Sequence, residues 1–182
     1  MNARENPETQ PAGKLMDLVI LVDSREQQPL AFGDIATKRA TLATGDYSCV
    51  CDGVDLRDVV AIERKSVSDL LGCIGSQRER FERELERLAQ LRYRALLIEG
   101  TLAEVAAGLP CSRLSENQIL GSLLAWCWKY GAPPIFAGNR TYAARVVATL
   151  LRHAARYQRA AREALEPRQA QPAPEAYREA TP

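Results

Sequence analysis

Residues 59–69 have the sequence VVAIERKSVSD, and this stretch carries the strongest structural signal in the chain. Its first part is apolar and β-branched and is bounded by charged residues, which predicts a short buried strand over Val59–Lys65 that ends at a polar edge. Successive side chains of a strand point to opposite faces of the sheet. Glu63 and Lys65 are therefore expected on one face, and Arg64 on the other.

A second short segment, Thr44-Gly45-Asp46-Tyr47, precedes this strand, and Asp52-Gly53-Val54-Asp55 supplies a turn between the two. A hairpin of this kind would bring Asp46 beside Glu63. Two carboxylates and a substrate phosphate suit Mg²⁺, which takes oxygen ligands and usually keeps several waters. Lys65 at the same place would orient or deprotonate the attacking water and offset charge on the phosphate. The residues thus predict metal-assisted hydrolysis of a phosphodiester bond.

Gly45-Asp46, then Glu63-Arg64-Lys65 and Asp69, resembles the motif of the nuclease domain of XPF and Hef-type flap and fork endonucleases. Val22-Asp23-Ser24-Arg25-Glu26 is similar to a Val-Asp-x-Arg-Glu segment of that family, and the likeness extends from about Leu18 to Arg156. This combination is far more restrictive than a lone Glu-x-Lys. The resemblance implies a restriction-endonuclease-like core, dependence on Mg²⁺ or Mn²⁺, and cleavage of branched DNA near junctions of single and double strands.

The resemblance also implies roles for the carboxylates. Asp46 and Glu63 would bind the metal, and Asp23 and Glu26 would give acidic support. Because Asp23 ends an apolar strand, where site carboxylates often sit, we also expect it among the catalytic and metal-binding residues. Asp69 would be auxiliary, although capping of the helix that follows explains it as well. Asp23 and Glu26 have a plainer interpretation too, as surface partners of nearby basic residues.

The basic residues have two expected tasks. The resemblance gives Arg64 and Lys65 catalytic roles, but Arg64 faces away from Lys65 on an ideal strand. Either a bulge re-aims it or it positions the strand or the DNA. Contacts with DNA are expected from four further arginines: Arg25, Arg78, Arg140 and Arg145. The helix around Arg78 alternates arginine with glutamate, a pattern that also describes a solvated face with ion pairs at helical spacing.

Charge is distributed unevenly along the chain. The net charge is +1, so the total gives no argument for nucleic acid. Residues 140–168, however, hold seven arginines and two glutamates. A basic face near an acidic pocket suits a DNA backbone, although such a run is also typical of the wet side of an amphipathic helix.

Composition limits the setting in which the protein works. No apolar run approaches the roughly 20 residues that span a bilayer, and residues 1–13 lack the basic-then-apolar order of a signal peptide. We therefore expect no membrane association and a cytoplasmic location, nucleoid-associated or nuclear depending on the source. The five cysteines have no Cys-x-x-Cys spacing and His153 is the single histidine, which favours buried reduced thiols over a zinc site.

Helices and strands are expected to alternate along the chain. Strands are predicted at residues 18–22, 39–42, 46–51, 59–65, 95–99 and 133–137, with those at 39–65 forming a meander. Capping boxes at Ser66, Ser76, Thr101 and Ser115 predict helix starts, and an amphipathic helix is predicted over about 141–162. This order predicts an α/β fold with a central mixed β-sheet flanked by helices and a site at one edge of the sheet.

Three parts are expected: a disordered N-terminal segment at 1–14, the nuclease domain at 15–163, and a disordered Ala/Pro-rich tail at 164–182. The tail is too short and polar for the tandem helix-hairpin-helix module that many family members carry, which leaves junction specificity open. We predict a homodimer through the late helices, because Leu123, Trp126 and the stripe at Val146 offer more apolar surface than one small sheet needs.

Three functions fit these observations. The first is a structure-selective DNA endonuclease of repair or recombination. The second is a restriction-like or junction-resolving nuclease of the same fold, which differs only in substrate. The third is a non-catalytic DNA-binding or scaffolding module. All of the matched motif residues are intact, which favours an enzyme.

Overall fold

Strands and helices alternate along residues 17–110 and 113–165, the part of the chain that the computed structural model describes. The strands are β1 (Leu18–Asp23), β2 (Thr37–Ala40), β3 (Tyr47–Cys51), β4 (Val54–Asp55), β5 (Val60–Ser66), β6 (Tyr93–Glu99) and β7 (Pro134–Phe136). The helices are α1 (Val67–Ile74), α2 (Arg78–Leu88), α3 (Leu102–Ala107), α4 (Glu116–Tyr130) and α5 (Arg140–Leu165).

The sheet is mixed and has helices on both faces. Its order is β2-β1-β3-β5-β6-β7, with β4 paired to β3. The β1–β3 and β3–β5 pairs are antiparallel, and β5, β6 and β7 are parallel. The apolar stripe of α5 packs on one face of the sheet, and α1, α2 and α4 pack on the other. The predicted α/β fold with a central mixed sheet is confirmed.

The predicted meander is wrong in one element. β2 pairs with β1 in parallel, with Ile20 opposite Thr37, and lies at the far edge of the sheet from β5. The inner edge of β1 is already paired with β3, so β2 has only the outer edge to join. Its largely exposed sequence, which includes Lys38 and Arg39, suits an edge strand that must resist pairing with other chains.

The β3–β5 connection is the element that builds the site. A tight turn at Asp52 (φ 48°) and Gly53 (φ 77°) reverses the chain, as expected for a hairpin turn with two positive φ values. At the other end of β3 the Asp46 amide donates to the Ile62 carbonyl at 2.9 Å, and the Asp46 carbonyl accepts from the Asp23 amide at 2.9 Å. Asp46 is thereby tied to the ends of both β1 and β5.

The helices begin largely where the sequence predicts. Thr101 and Ser115 form capping boxes with Glu104 and Gln118. The capping box expected at Ser76 is not formed. After a short connection from α1, α2 begins at Arg78, so the capping position falls on Gln77, whose side chain makes no capping bond. The helix predicted over 141–162 is longer, since α5 runs from Arg140 to Leu165.

Two of the residues that suggested a dimer are buried within the chain itself. Trp126 is 1% exposed and packs edge-on against Phe81 with 5.1 Å between ring centroids, and Leu123 is 3% exposed. Both belong to the core between the sheet and α2, so the reasoning from these two residues is wrong. The exposed apolar residues of α4 are Leu124 and Trp128, at 59% and 89%.

The remaining sequence predictions concern the ends of the chain and the cysteines. The segments predicted to be disordered lie outside the described residues, except that 164 and 165 belong to α5. Cys49, Cys51, Cys73 and Cys127 are free thiols, and Cys111 lies outside the described residues. Among the helices that the structure describes, none is long and apolar enough to cross a membrane.

Candidate active site

An open cavity of about 190 Å³ lies where β1, β3 and β5 end. Asp46, Glu63 and Lys65 line it together, as the hairpin and the alternation of β5 predict. The cavity wall opposite them is formed by α2. The structure therefore brings the central motif residues to one solvent-accessible place.

Gly45 explains why glycine precedes the first of these carboxylates. Its φ is +74°, a conformation that side chains rarely adopt, and a Cβ there would lie 2.9 Å from the Cβ of Ala61. The chain can therefore pass close to β5 only without a side chain at this position. That close passage places Asp46 next to Glu63.

The Asp46 and Glu63 carboxylates share an electrostatically unfavourable environment. Burial raises the pKa of Asp46 to about 7, with the negative charge of Glu63 as the next cause, while the Arg64 amide opposes the shift by donating to Asp46 Oδ2 at 2.7 Å. Burial likewise raises the pKa of Glu63, although Lys65 counteracts it. Such a site holds two hard oxygen donors whose negative charge is under-compensated, which favours binding a cation.

Lys65 is held between acidic and aromatic side chains. Its Nζ donates to Glu63 Oε1 at 2.5 Å, lies 3.8 Å from Glu84 Oε2, and sits 5.1 Å from the centroid of the Phe81 ring. Burial by itself would lower the pKa of Lys65, but Glu63 and Asp46 raise it above its ordinary value. Lys65 is therefore a cation at neutral pH in this arrangement, suited to offsetting phosphate charge rather than to removing a proton.

The predicted three-carboxylate metal site is not formed. Within residues 17–110 and 113–165 no group of three or more His, Cys, Asp or Glu side chains is arranged to hold a metal ion. Asp23 lies in the cavity wall, but its carboxylate accepts from the amides of Arg25 and Leu42 and twice from the Arg25 guanidinium. These four bonds occupy the lone-pair positions of a carboxylate, so Asp23 is an anchor for Arg25 rather than a free ligand.

Asp46 and Glu63 remain as the donor set, and they fit Mg²⁺ or Mn²⁺. Mg²⁺ is usually bound by one or two carboxylates together with waters and substrate phosphates, so a third protein carboxylate is not required. The two acidic groups share one cavity that opens to solvent.

Arg64 faces away from this pair, as ideal alternation predicts, and no bulge re-aims it. Its Nε and Nη2 each donate to Glu99 at 2.8 Å, and its Nη1 donates to Glu26 at 3.1 Å and to the Gln28 carbonyl at 3.2 Å. The side chains of Arg64, Glu99 and Glu26 are only 10–12% exposed. The guanidinium is thus enclosed in the protein, and the contact between Arg64 and Asp46 is made by the Arg64 backbone amide.

Asp69 lies in the first turn of α1 and takes part in its cap through Ser66, the N-cap residue, which agrees with the alternative that the sequence offered. The Asp69 amide donates to the Ser66 hydroxyl at 3.1 Å, and that hydroxyl donates to Asp69 Oδ2 at 2.7 Å. Both residues line a second, wider cavity of about 510 Å³ that also includes Asp46 and Arg25. Asp46 and Lys65 line both cavities.

The four arginines predicted to contact DNA fall in different places. Arg25 lines both cavities and its side chain is 69% exposed. Arg78 turns away from the cavity to donate to the Ser122 hydroxyl and stack on Trp126. Arg140 donates to loop carbonyls at Gln28 and Pro29, and Arg145 stacks on Tyr142 beside a groove on the other side of the sheet. Only Arg25 of the four lines the cavity of the central motif.

Three cavity residues on α2 were not predicted from the sequence, namely Arg80, Glu84 and Arg87. Each directly precedes one of the buried residues Phe81, Leu85 and Leu88. They therefore follow one margin of the apolar stripe of the helix, and this spacing was the available signal. Glu99, the main partner of Arg64, was missed as well.

Comparisons with known proteins agree with this geometry. The family model of the ERCC4 domain matches residues 22–150, which is more than half of the chain. XPF from Aeropyrum pernix has a similar structure, with 21% sequence identity and a TM-score of 0.58 over 80% of this chain and 69% of its own. A structure of XPF from Aeropyrum pernix in complex with DNA is similar over 76% and 66%, with 21% identity and a TM-score of 0.56.

A search of curated proteins gave no match to this sequence. At 21% identity the structural likeness establishes the fold, and the family model supplies the relationship. That model spans the Asp23, Asp46 and Glu63 segments that meet at the cavity. The chain therefore belongs to the ERCC4 domain family, and the resemblance to XPF-type nuclease domains is confirmed.

Proposed function

We propose that this protein is a divalent-metal-dependent endonuclease that hydrolyses phosphodiester bonds in branched DNA. The observation that carries the proposal is the convergence of Asp46, Glu63 and Lys65 in one open cavity. Two under-compensated carboxylates and a fixed cation are the groups that metal-assisted phosphoryl hydrolysis requires. The preference for flaps, forks and junctions rests on membership of the family.

Asp46, Glu63, Lys65 and the Arg64 amide have separate tasks in this proposal. Asp46 and Glu63 would hold Mg²⁺ or Mn²⁺, which when bound supplies a Lewis acid for the phosphate and lowers the pKa of water. The Arg64 amide orients Asp46 through its bond to Oδ2. Lys65 orients Glu63 and offers positive charge to the phosphate as negative charge develops on its oxygens.

We extend the proposal to a homodimer on a corrected surface. Leu124 and Trp128 are one helical turn apart on α4 and expose a large apolar side chain each. A second copy would cover Leu124 and Trp128 by the symmetric pairing that is commonest among oligomers.

The test of the proposed activity uses labelled flap, fork, four-way junction, linear duplex and single-stranded DNA. Each substrate is incubated with Mg²⁺, Mn²⁺ or EDTA, with Asp46→Asn as the matched control. We expect metal-dependent cuts near branch points with the unmodified protein and none with Asp46→Asn. Equal cutting of unbranched duplex would indicate a restriction-like nuclease instead, and DNA binding without cleavage in either metal would indicate a non-catalytic module.

A further inference from the structure

One wall of the catalytic cavity is basic and has no role in the chemistry described above. Arg80, Glu84 and Arg87 of α2 line the same cavity as Asp46 and Glu63. Their spacing of four and then three residues places them on one face of the helix. At 1.5 Å per residue, Arg80 and Arg87 are separated by about 10 Å along the helix axis.

The two arginines are available to a ligand. The Arg80 side chain is 72% exposed, and its Nε lies 3.5 Å from Glu84 Oε1. Glu84 also lies 3.8 Å from Lys65, so it joins the helix to the catalytic strand and holds Arg80 at the cavity. Arg87 is exposed and makes no ion pair with any of the described residues.

Other arginines of the same helix are placed differently. Arg78 is occupied by Ser122, Glu82 and the Trp126 ring. Arg83 is exposed but does not line the cavity. The basic wall is therefore specific to one face of α2, whereas a helix that is merely solvated would show no such relation to the site.

We propose that Arg80 and Arg87 bind the sugar–phosphate backbone of the nucleic acid beside the cavity of Asp46 and Glu63. Their axial separation of about 10 Å corresponds to about three steps of the 3.4 Å rise per nucleotide along the axis of a double helix. A helix lying along that axis therefore contacts phosphates about three steps apart, and such contacts are independent of base sequence. The inference rests on the proposed function only for the identity of the nearby phosphate.

Binding to a labelled fork is measured by fluorescence anisotropy in EDTA, so that no turnover is needed. The proteins are the unmodified chain, Arg80→Ala, Arg87→Ala, the double variant, and Arg83→Ala as the matched control on the other side of α2. Each lost phosphate contact is expected to reduce the slope of log K against log salt by about 0.9. At 0.1 M salt this corresponds to roughly eightfold weaker binding for each single variant and about 60-fold for the double variant.

Two further comparisons make the result decisive. Arg80→Lys keeps the charge and is expected to retain most of the salt slope, whereas Arg83→Ala is expected to leave it unchanged. Unchanged slopes in both alanine variants, or an equal loss in Arg83→Ala, would overturn the inference. Circular dichroism of each variant establishes that the fold is retained.

The binding assay also separates this inference from the proposed activity. If the unmodified protein binds through Arg80 and Arg87 but cleaves no substrate with Mg²⁺ or Mn²⁺, the inference stands and the nuclease proposal fails. If the unmodified protein cleaves and both variants match it in affinity and in KM, the inference fails alone. If both hold, the variants raise KM and leave kcat nearly unchanged, as expected for uniform binding contacts.

Discussion

The two faces of β5 differ in how completely their charges are compensated. On the cavity face, burial raises the pKa values of the Asp46 and Glu63 carboxylates, and the Lys65 ammonium donates to Glu63. On the opposite face, the Arg64 guanidinium donates to Glu99 and Glu26, and these bonds hold it inside the protein. The consecutive residues Glu63, Arg64 and Lys65 therefore divide between the cavity face, which holds Glu63 and Lys65, and a supporting face, which holds Arg64.

This difference indicates that the Glu-Arg-Lys triplet is not a single catalytic group. The cavity face costs folding free energy when no cation is present, because two carboxylates share a desolvated place. The supporting face anchors β5 to β6 through Glu99 and to the loop after β1 through Glu26. We infer that Arg64 maintains the strand position from which its amide orients Asp46.

Removal of the supporting interaction should have the largest effect on stability. Arg64→Ala leaves Glu99 and Glu26 without their main cation in a place where both are about nine-tenths buried. Breaking a buried ion pair in this way is expected to cost about 3–5 kcal/mol. Urea unfolding followed by circular dichroism measures the loss.

Arg57 offers a matched control, because it also makes a bidentate contact, with Asp55, but both side chains are nearly half exposed. Arg57→Ala should cost far less than Arg64→Ala, because ion pairs between exposed side chains contribute little to stability. Similar losses in the two variants would mean that burial does not distinguish the supporting face from the surface. Arg64→Lys should recover only part of the stability, since an ammonium cannot reproduce the paired bonds to Glu99.

Titration of the metal-free protein should expose the cost of the cavity face. The pKa of Asp46 is about 7 in the folded protein, against an ordinary value of 3.8. The folded state therefore holds this proton more tightly, and the free energy of unfolding should fall as pH rises from about 4 to about 7 and then level off. The expected change is on the order of 4 kcal/mol.

The Asp46→Asn variant tests the assignment of this pH dependence, because it should lose the decline between pH 4 and 7 when measured in EDTA. An unchanged profile in Asp46→Asn would show that another group causes the decline.

Asp23 is expected to change stability with pH in the opposite direction. Burial alone would raise the pKa of Asp23, but hydrogen bonds from Arg25 and the Leu42 amide lower it. Its contribution to the free energy of unfolding is therefore present above about pH 4 and lost in acid.

The close passage at Gly45 should be the next most sensitive feature. Gly45→Ala combines a positive φ with a Cβ only 2.9 Å from the Cβ of Ala61, and we expect a loss of about 2–3 kcal/mol together with reduced cleavage. Gly33→Ala is the matched control, because φ is +61° there and no atom lies within 4 Å of the new Cβ. Gly33→Ala should cost only about 1 kcal/mol. Equal losses would indicate that the backbone conformation, not the approach to β5, requires glycine.

Local patterns predicted the parts of the site that depend on strand alternation and short connections. The shared face of Glu63 and Lys65 follows from alternation within β5, and the hairpin brings Asp46 to them. The apolar stripe of α5 follows from helical spacing within one element. In each case the deciding residues are near in sequence or belong to one regular element.

Interactions between distant elements were not predictable from these patterns. Arg64 and Glu99 are 35 residues apart and meet only because β5 and β6 pair in parallel with Ser66 opposite Glu99. The position of β2 depends on which edge of β1 remains unpaired. The sequence predicts Arg78 as the DNA contact on this helix, yet the docking of α2 turns Arg78 toward Trp126 and Arg80 toward the cavity.

Substitution of Asp69 should have the smallest effect, and it tests where the functional residues of the cavity face end. If Asp69 only supports the cap of α1, Ser66→Ala should cost about 1 kcal/mol, Asp69→Ala should cost less, and neither should change metal-dependent cleavage by more than the stability loss explains. Thermal unfolding and cleavage are measured on the same preparations. A drop in cleavage of tenfold or more in Asp69→Asn, with unfolding unchanged, would instead place Asp69 among the functional residues. The functional residues of the cavity face would then continue from the end of β5 into the first turn of α1. Ser66 and Asp69 line the wider cavity there together with Asp46.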